Sequence, residues 1–130
     1  ILPTEITAGF AYWSKSHYSV EPHLCIVISD PVQDGNRVLI VNFTHWEKNK
    51  EQCCVVECSE YSELEQKSCI AYRHAMIDSE KRLLADCVNK RVRPVSSPSA
   101  AVLKRIREGA FTSLHLPIGY YNLLKDQGLF

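Results

Sequence analysis

No long apolar run occurs in this chain, and that absence sets the first limit. The longest, Leu24-Cys25-Ile26-Val27-Ile28, falls far short of the roughly 20 residues that a membrane-spanning helix needs. The opening Ile-Leu-Pro-Thr-Glu carries neither the basic segment nor the apolar stretch of a secretory signal; lacking Met, it reads as a trimmed terminus. Catalytic fingerprints are missing too. The chain holds no P-loop, no dinucleotide-binding GxGxxG, no HExxH and no GxSxG, which removes the enzyme classes built on those motifs. Net charge is also absent: 15 Lys and Arg balance 15 Asp and Glu, so no global field draws the chain to nucleic acid.

What is present fits a small globular protein. A length of 130 residues with 45% apolar content predicts one domain, residues 1–130, with a core of its own. Six cysteines, Cys25, Cys53, Cys54, Cys58, Cys69 and Cys87, lie mostly inside apolar segments, where free cysteine packs as a small hydrophobe. That placement predicts reduced thiols and a cytoplasmic protein. Charge is unevenly spread. From Glu47 to Glu65 six acids face only Lys48 and Lys50, whereas from Lys81 to Arg107 eight basic residues face Asp86 alone. Such asymmetry permits an anionic partner, though a solvated helix face accounts for it equally well.

Periodicity divides the chain into a β part, about residues 8–78, and a helical part, 79–130. Strands are expected at Gly9 to Trp13, at His23 to Ser29 and at Arg37 to Phe43, the last two forming an antiparallel hairpin. Cys53 to Cys58 and Ser68 to Ile77 supply further strand-like stretches. Short strands with polar turns predict a small barrel or rolled sheet. Asp78 or Ser79 then caps a helix bearing Leu83, Leu84, Cys87 and Val88 on one face. Arg93 to Ser96 reads as a linker, Ser97-Pro98 as the start of a second helix, Gly109 as its stop, and Pro117 as the opening of a third.

Three constellations bear on chemistry. Cys53, Cys54 and Cys58 beside His45 lack the second ligand pair of a structural zinc site, and adjacent strand residues point to opposite faces. No metal is expected there. Cys25, two residues after His23, shares a strand face with it. Catalytic thiols prefer electropositive, partly exposed places, however, and Cys25 sits in the most apolar run. The third constellation is at the strand ends. His23 opens one strong strand and Thr44-His45 closes the next; in an antiparallel pair these ends meet at one rim. A histidine beside a hydroxyl can move protons and orient a phosphate, although a histidine at a strand end is more often only solvated. Lys15 and His17 lie in the loop after the first strand, and Trp13 and Trp46 offer faces for stacking bases or for core packing.

The order of these segments resembles the PemK/MazF group of toxin endoribonucleases. Gly9-Phe10-Ala11-Tyr12-Trp13 is similar to the family's opening strand, and Glu21 to Ser29 to its second, arginine-proline strand. Val38 to Thr44 resembles the strand that ends in Thr or Ser, and Lys67 to Tyr72 a later one. The resemblance implies an α+β protein, a small SH3-like β-barrel with C-terminal helices. It implies a homodimer that cuts single-stranded RNA without a metal or other cofactor, by attack of the ribose 2′-hydroxyl, and that a cognate antitoxin restrains. Thr44 matches the family's functional hydroxyl. His23 stands near the place of its catalytic arginine, which exchanges a permanent charge for a proton carrier. His23 and Thr44 are therefore the expected catalytic pair. Lys15, His17, His45, Ser68, Tyr72 and Arg73 are the expected substrate contacts, with Ser68 and Tyr72 equally suited to packing. The alternative is a non-catalytic barrel that holds a protein partner.

Overall fold

The structure, a computed structural model, describes residues 2–15, 21–31 and 35–129, with Lys15 described by its backbone alone. Among these residues, seven antiparallel strands run β1 (Ala11–Lys15), β2 (Pro22–Val27), β3 (Arg37–His45), β4 (Val55–Val56), β5 (Ser68–Ile70), β6 (Met76–Ser79) and β7 (Arg93–Val95). Three helices accompany them: α1 (Glu80–Val88), α2 (Ala100–Thr112) and α3 (Ile118–Asp126). The strand order is β4-β5-β3-β2-β1-β7, with β6 paired to the first half of β3. This is an α+β fold. Among the described residues the two ends of the strand order do not pair with each other, so the sheet is open there and the closed barrel expected from the sequence is not confirmed.

The near-continuous apolar runs of β2 and β3 have a plain cause, because side chains alternate between faces and both faces are covered. Leu24, Ile26 and Ile28, with Leu39, Val41 and Phe43, enter the larger core, which Val102, Ile106 and Ala110 of α2 and Leu124 of α3 complete. Cys25, Val27, Val38 and Ile40 enter a smaller core on the other face, closed by Leu83 and Cys87 of α1 and by Ile6. The rim where β2 begins and β3 ends is clear of both cores: Pro22 and His45 are exposed, and His23 and Thr44 are half-buried.

Side-chain hydrogen bonds lock the helices onto the sheet. Ser79 caps α1 by accepting from the Arg82 amide at 3.0 Å, which settles the choice between Asp78 and Ser79. Arg107 of α2 donates to the Ile28 carbonyl at 2.8 Å. Gln127, just beyond α3, accepts from the Asp30 amide at 2.8 Å and donates to its carbonyl at 3.2 Å.

Several segments depart from the sequence-based expectation. β1 starts at Ala11 and runs to Lys15, and the stretch Cys53 to Cys58 keeps only two strand residues. Arg93–Val95 is a strand, since it pairs with β1 and satisfies an edge that would otherwise face water. Helix α2 is capped by Ser99, which accepts from the Val102 amide at 3.2 Å, rather than by Ser97. The stretch Ser68 to Ile77 is broken by a 3₁₀ turn, Tyr72–His74. There Tyr72 plunges beneath α2, and its buried hydroxyl donates to the Ile106 carbonyl at 2.6 Å.

Gly109 lies inside α2 and does not stop it. Its role is steric: a Cβ at position 109 would lie 2.3 Å from the Tyr72 hydroxyl and 2.9 Å from the Cys53 carbonyl oxygen. Replacing a mid-helix glycine by alanine ordinarily gains up to about 1 kcal/mol. Overpacking of a rigid site typically costs about 1–3 kcal/mol, so the clash wins. Gly109→Ala is expected to lower the urea midpoint at unchanged m-value; a raised midpoint would show that α2 can lift off Tyr72 without loss.

Candidate functional site

The clear rim gathers the polar residues of the strand ends. The β2–β3 register sets Cys25 opposite Asn42 and Ile26 opposite Val41; continued by two residues, it brings His23 beside Thr44. Both line one cleft of about 230 Å³, with Trp13, His45, Lys50 and Ser68 also in its wall. The His23 ring approaches the Phe43 carbonyl through Nδ1, at 3.3 Å. A carbonyl only accepts, so Nδ1 carries the hydrogen and Nε2 is the basic atom of the neutral ring. Nε2 is shielded from solvent, so the ring has to turn outward before it can exchange a proton with a substrate.

Thr44 has a partner that the sequence did not suggest. Lys50, from the charged loop after β3, donates to Thr44 Oγ1 at 2.8 Å and to the His45 carbonyl at 2.9 Å. Glu47 stands 3.7 Å from the same ammonium. Because Thr44 accepts from Lys50, its own hydrogen points elsewhere, and a hydroxyl and a cation are presented together. Lys50 could have been suspected only from its position six residues after Thr44.

The ridge formed by Thr44 and Lys50 separates the His23 cleft from a second one of about 390 Å³. The second lies against the 3₁₀ turn and is lined by Arg73, His74, Glu51 and His115 as well as Thr44 and Lys50. The two clefts differ in charge. Around His23, the carboxylates of Glu21, Glu47 and Glu65 face Lys50. Across the ridge, Glu51 is the one carboxylate among the described lining residues and faces Lys50 and Arg73. An anion therefore finds its better surroundings at the ridge and beyond it.

The remaining expected contacts divide between the two clefts, His45 and Ser68 in the first and Tyr72 and Arg73 in the second. His45 is exposed at the end of β3. Ser68 is buried and donates its hydroxyl to the Gln66 carbonyl at 2.9 Å. The Tyr72 hydroxyl is committed to α2, and burial pushes its phenol pKa up. Arg73, one residue on, is exposed. Lys15 pairs with Pro22 through its backbone; its side chain, and His17 entirely, lie outside the described residues. Trp13 packs against the larger core. Trp46 donates to Gln52 at 2.7 Å, and the Lys67 ammonium sits 4.3 Å from its ring centre.

Cys25 is unsuited to nucleophilic work. It is buried opposite Tyr12, and burial pushes its thiol pKa up to about 12, whereas reactive thiols have lowered values. Among the described residues, no three metal-ligating side chains gather, and no helix is long and apolar enough to cross a membrane.

Comparison with known proteins adds one finding. No protein-family signature and no curated protein matches the sequence. Among solved structures, the chain is similar to an endoribonuclease in complex with its cognate antitoxin from mycobacterial species. The superposition has a TM-score of 0.56 at 13% identity and covers 86% of this chain and 97% of that one. The two chains share one fold. Nearly the whole of that chain is thus matched, and the match extends beyond residues 8–78, whose strand order first suggested it.

All six cysteines are free, with Cys58 exposed and Cys25 buried. Iodoacetamide applied to the native protein should alkylate Cys58 quickly and Cys25 only on unfolding, as read by peptide mass spectrometry. Fast native labelling of Cys25 would reopen the thiol chemistry set aside above.

Proposed function

We propose that this chain is the toxin of a toxin–antitoxin pair, a cytoplasmic endoribonuclease that cuts single-stranded RNA without a metal and is held in check by a cognate antitoxin. The observation that carries this reading is the fold shared, over 86% of the chain, with an endoribonuclease solved alongside its antitoxin. The rim at the ends of β2 and β3 supports it, because it offers the groups that the reaction needs. The reading takes residues 1–130 as one domain, the open sheet as a variant of the small SH3-like barrel, and the active species as a homodimer.

In the proposed reaction the ribose 2′-oxygen attacks the adjacent phosphorus and the bond from phosphorus to the 5′-oxygen breaks. The 2′-proton passes to a base, a proton reaches the departing 5′-oxygen, and a 2′,3′-cyclic phosphate and a 5′-hydroxyl result. Thr44 donates its free hydrogen to a phosphate oxygen, and Lys50, already bonded to Thr44 at 2.8 Å, offsets the charge that builds on the phosphorane. His23, with its ring turned out, carries the proton through Nε2. Arg73 adds a permanent charge on the far side of the ridge and His45 lies in the wall of the His23 cleft, with Lys15 and His17 as further proposed RNA contacts. Ser68 and Tyr72 serve through packing, since their hydroxyls are spent on backbone carbonyls.

One observation favours the alternative, a non-catalytic module for a protein partner. The carboxylates of Glu21, Glu47 and Glu65 around His23 suit a basic peptide better than a phosphate.

A single assay separates the two. Mixed single-stranded RNA incubated with the protein in EDTA should yield cyclic-phosphate and 5′-hydroxyl ends. His23→Ala and Thr44→Ala should each slow cleavage by about 10²-fold or more, with unfolding midpoints close to the parent. RNA left intact by a folded, antitoxin-free sample would transfer the site to the protein-binding reading.

A further inference from the structure

The cleft beyond Thr44 is built largely from parts that the reaction above does not use. It lies between the end of β3, the 3₁₀ turn and the loop between α2 and α3, and holds about 390 Å³. That volume falls within the usual range for small-ligand sites. We infer that this cleft is a phosphate subsite for single-stranded RNA, in which Arg73, His74 and His115 grip the nucleotide next to the one that is cut. The inference rests on the ribonuclease reading and deepens it.

Charge carries the argument. Lys50 and Arg73 are permanent cations in the cleft wall, and His74 and His115 bring two imidazoles whose N–H groups can donate to a phosphate oxygen. The one carboxylate there is already engaged. Glu51 accepts from the Ser113 hydroxyl at 2.7 Å and from the Leu114 amide at 3.0 Å, and His115 Nε2 stands 3.9 Å from it. Its charge is thus turned toward the α2–α3 loop, which it anchors, and the loop in turn brings His115 to the cleft. Arg73 is placed with equal firmness. Its neighbour Tyr72 is buried and bonded to α2, so the turn that presents the guanidinium has little freedom to retreat.

Continuity gives the ligand its class. Both clefts end on Thr44 and Lys50, so a strand that crosses this ridge at the scissile phosphate enters the second cleft with its next phosphate. Among the described residues the Arg73 side carries fewer carboxylates than the His23 side, which favours it as the track for the next phosphate. A guanidinium also matches two phosphate oxygens at once, which Lys50 alone cannot do. The C-terminal half, through His115, becomes part of the RNA surface.

Binding is measured apart from cleavage with a mixed-sequence 2′-O-methyl RNA, which lacks the attacking hydroxyl, by fluorescence anisotropy over a range of salt. Arg73→Ala and His115→Ala should each weaken binding, Arg73→Ala by about tenfold, and Arg73→Ala should lower the salt slope by about 0.7, the loss of one single-strand phosphate contact. Both side chains are exposed, so unfolding midpoints should not move. Lys104→Ala, on the solvated face of α2, should leave the slope as it is. Parent-like affinity and slope in both alanine variants would overturn the subsite while leaving His23-dependent and Thr44-dependent cleavage standing. Tight, Arg73-dependent binding with no cleavage of ordinary RNA would keep the subsite and remove the enzyme. Displacement of the oligonucleotide by an equal concentration of inorganic phosphate would overturn the assignment to RNA, since the cleft would then hold a free anion.

Discussion

Everything in this molecule is hung on strand β3. Its first half pairs with β6, its middle with β2 and its end with β5, so backbone hydrogen bonds hold it along both edges. Val38 to Phe43 are buried, and Thr44 and His45 then emerge toward solvent. A strand fixed in this way cannot slip by one residue without exchanging its two faces, which would send the larger core outward. The register that protects the core therefore also fixes Thr44 at the rim, opposite His23. Packing sets the geometry of the site, and no separate device is needed to position it.

Much of this was legible in the amino-acid order. Continuous apolar runs in β2 and β3 announced strands covered on both faces, and the turn residues between them announced the hairpin. Antiparallel pairing then places His23 near Thr44 by arithmetic alone. Other parts were hidden because long-range contacts decide them. Nothing local marks Arg93–Val95 as a strand; it becomes one because β1 has an edge to fill. Gly109 looks like a helix stop, and only the arrival of Tyr72 from 37 positions earlier explains why it sits in mid-helix. Lys50 was concealed in a charged loop, since pattern says nothing about where a flexible ammonium ends up.

The helical half has a clearer part to play than its sequence implied. It does not sit apart from the strands, because α2 and α3 complete the larger core and tie back to the end of β2 through Arg107 and Gln127. The same helices carry the loop that Glu51 holds. Lys81 and Arg82 of α1 and Lys104 of α2 lie on ordinary solvated faces, Lys104 beside Glu108 at 3.9 Å, a contact of little energetic weight, whereas Arg105 and Arg107 turn to the Val55 and Ile28 carbonyls. The charges of consequence are few and lie near the ridge.

The shortness of the terminal strands has a bearing on recognition. The strand order ends in β4, of two residues, and in β7, of three with Pro94 at its centre. Arg105 of α2 already donates to the Val55 carbonyl. A peptide that tried to extend the sheet from either end would find only a few backbone groups to pair with. Main-chain addition at these ends is thus a poor route to tight association. A protein that covers either of these ends would gain little from strand pairing there and would be read by the shape and charge of its side chains.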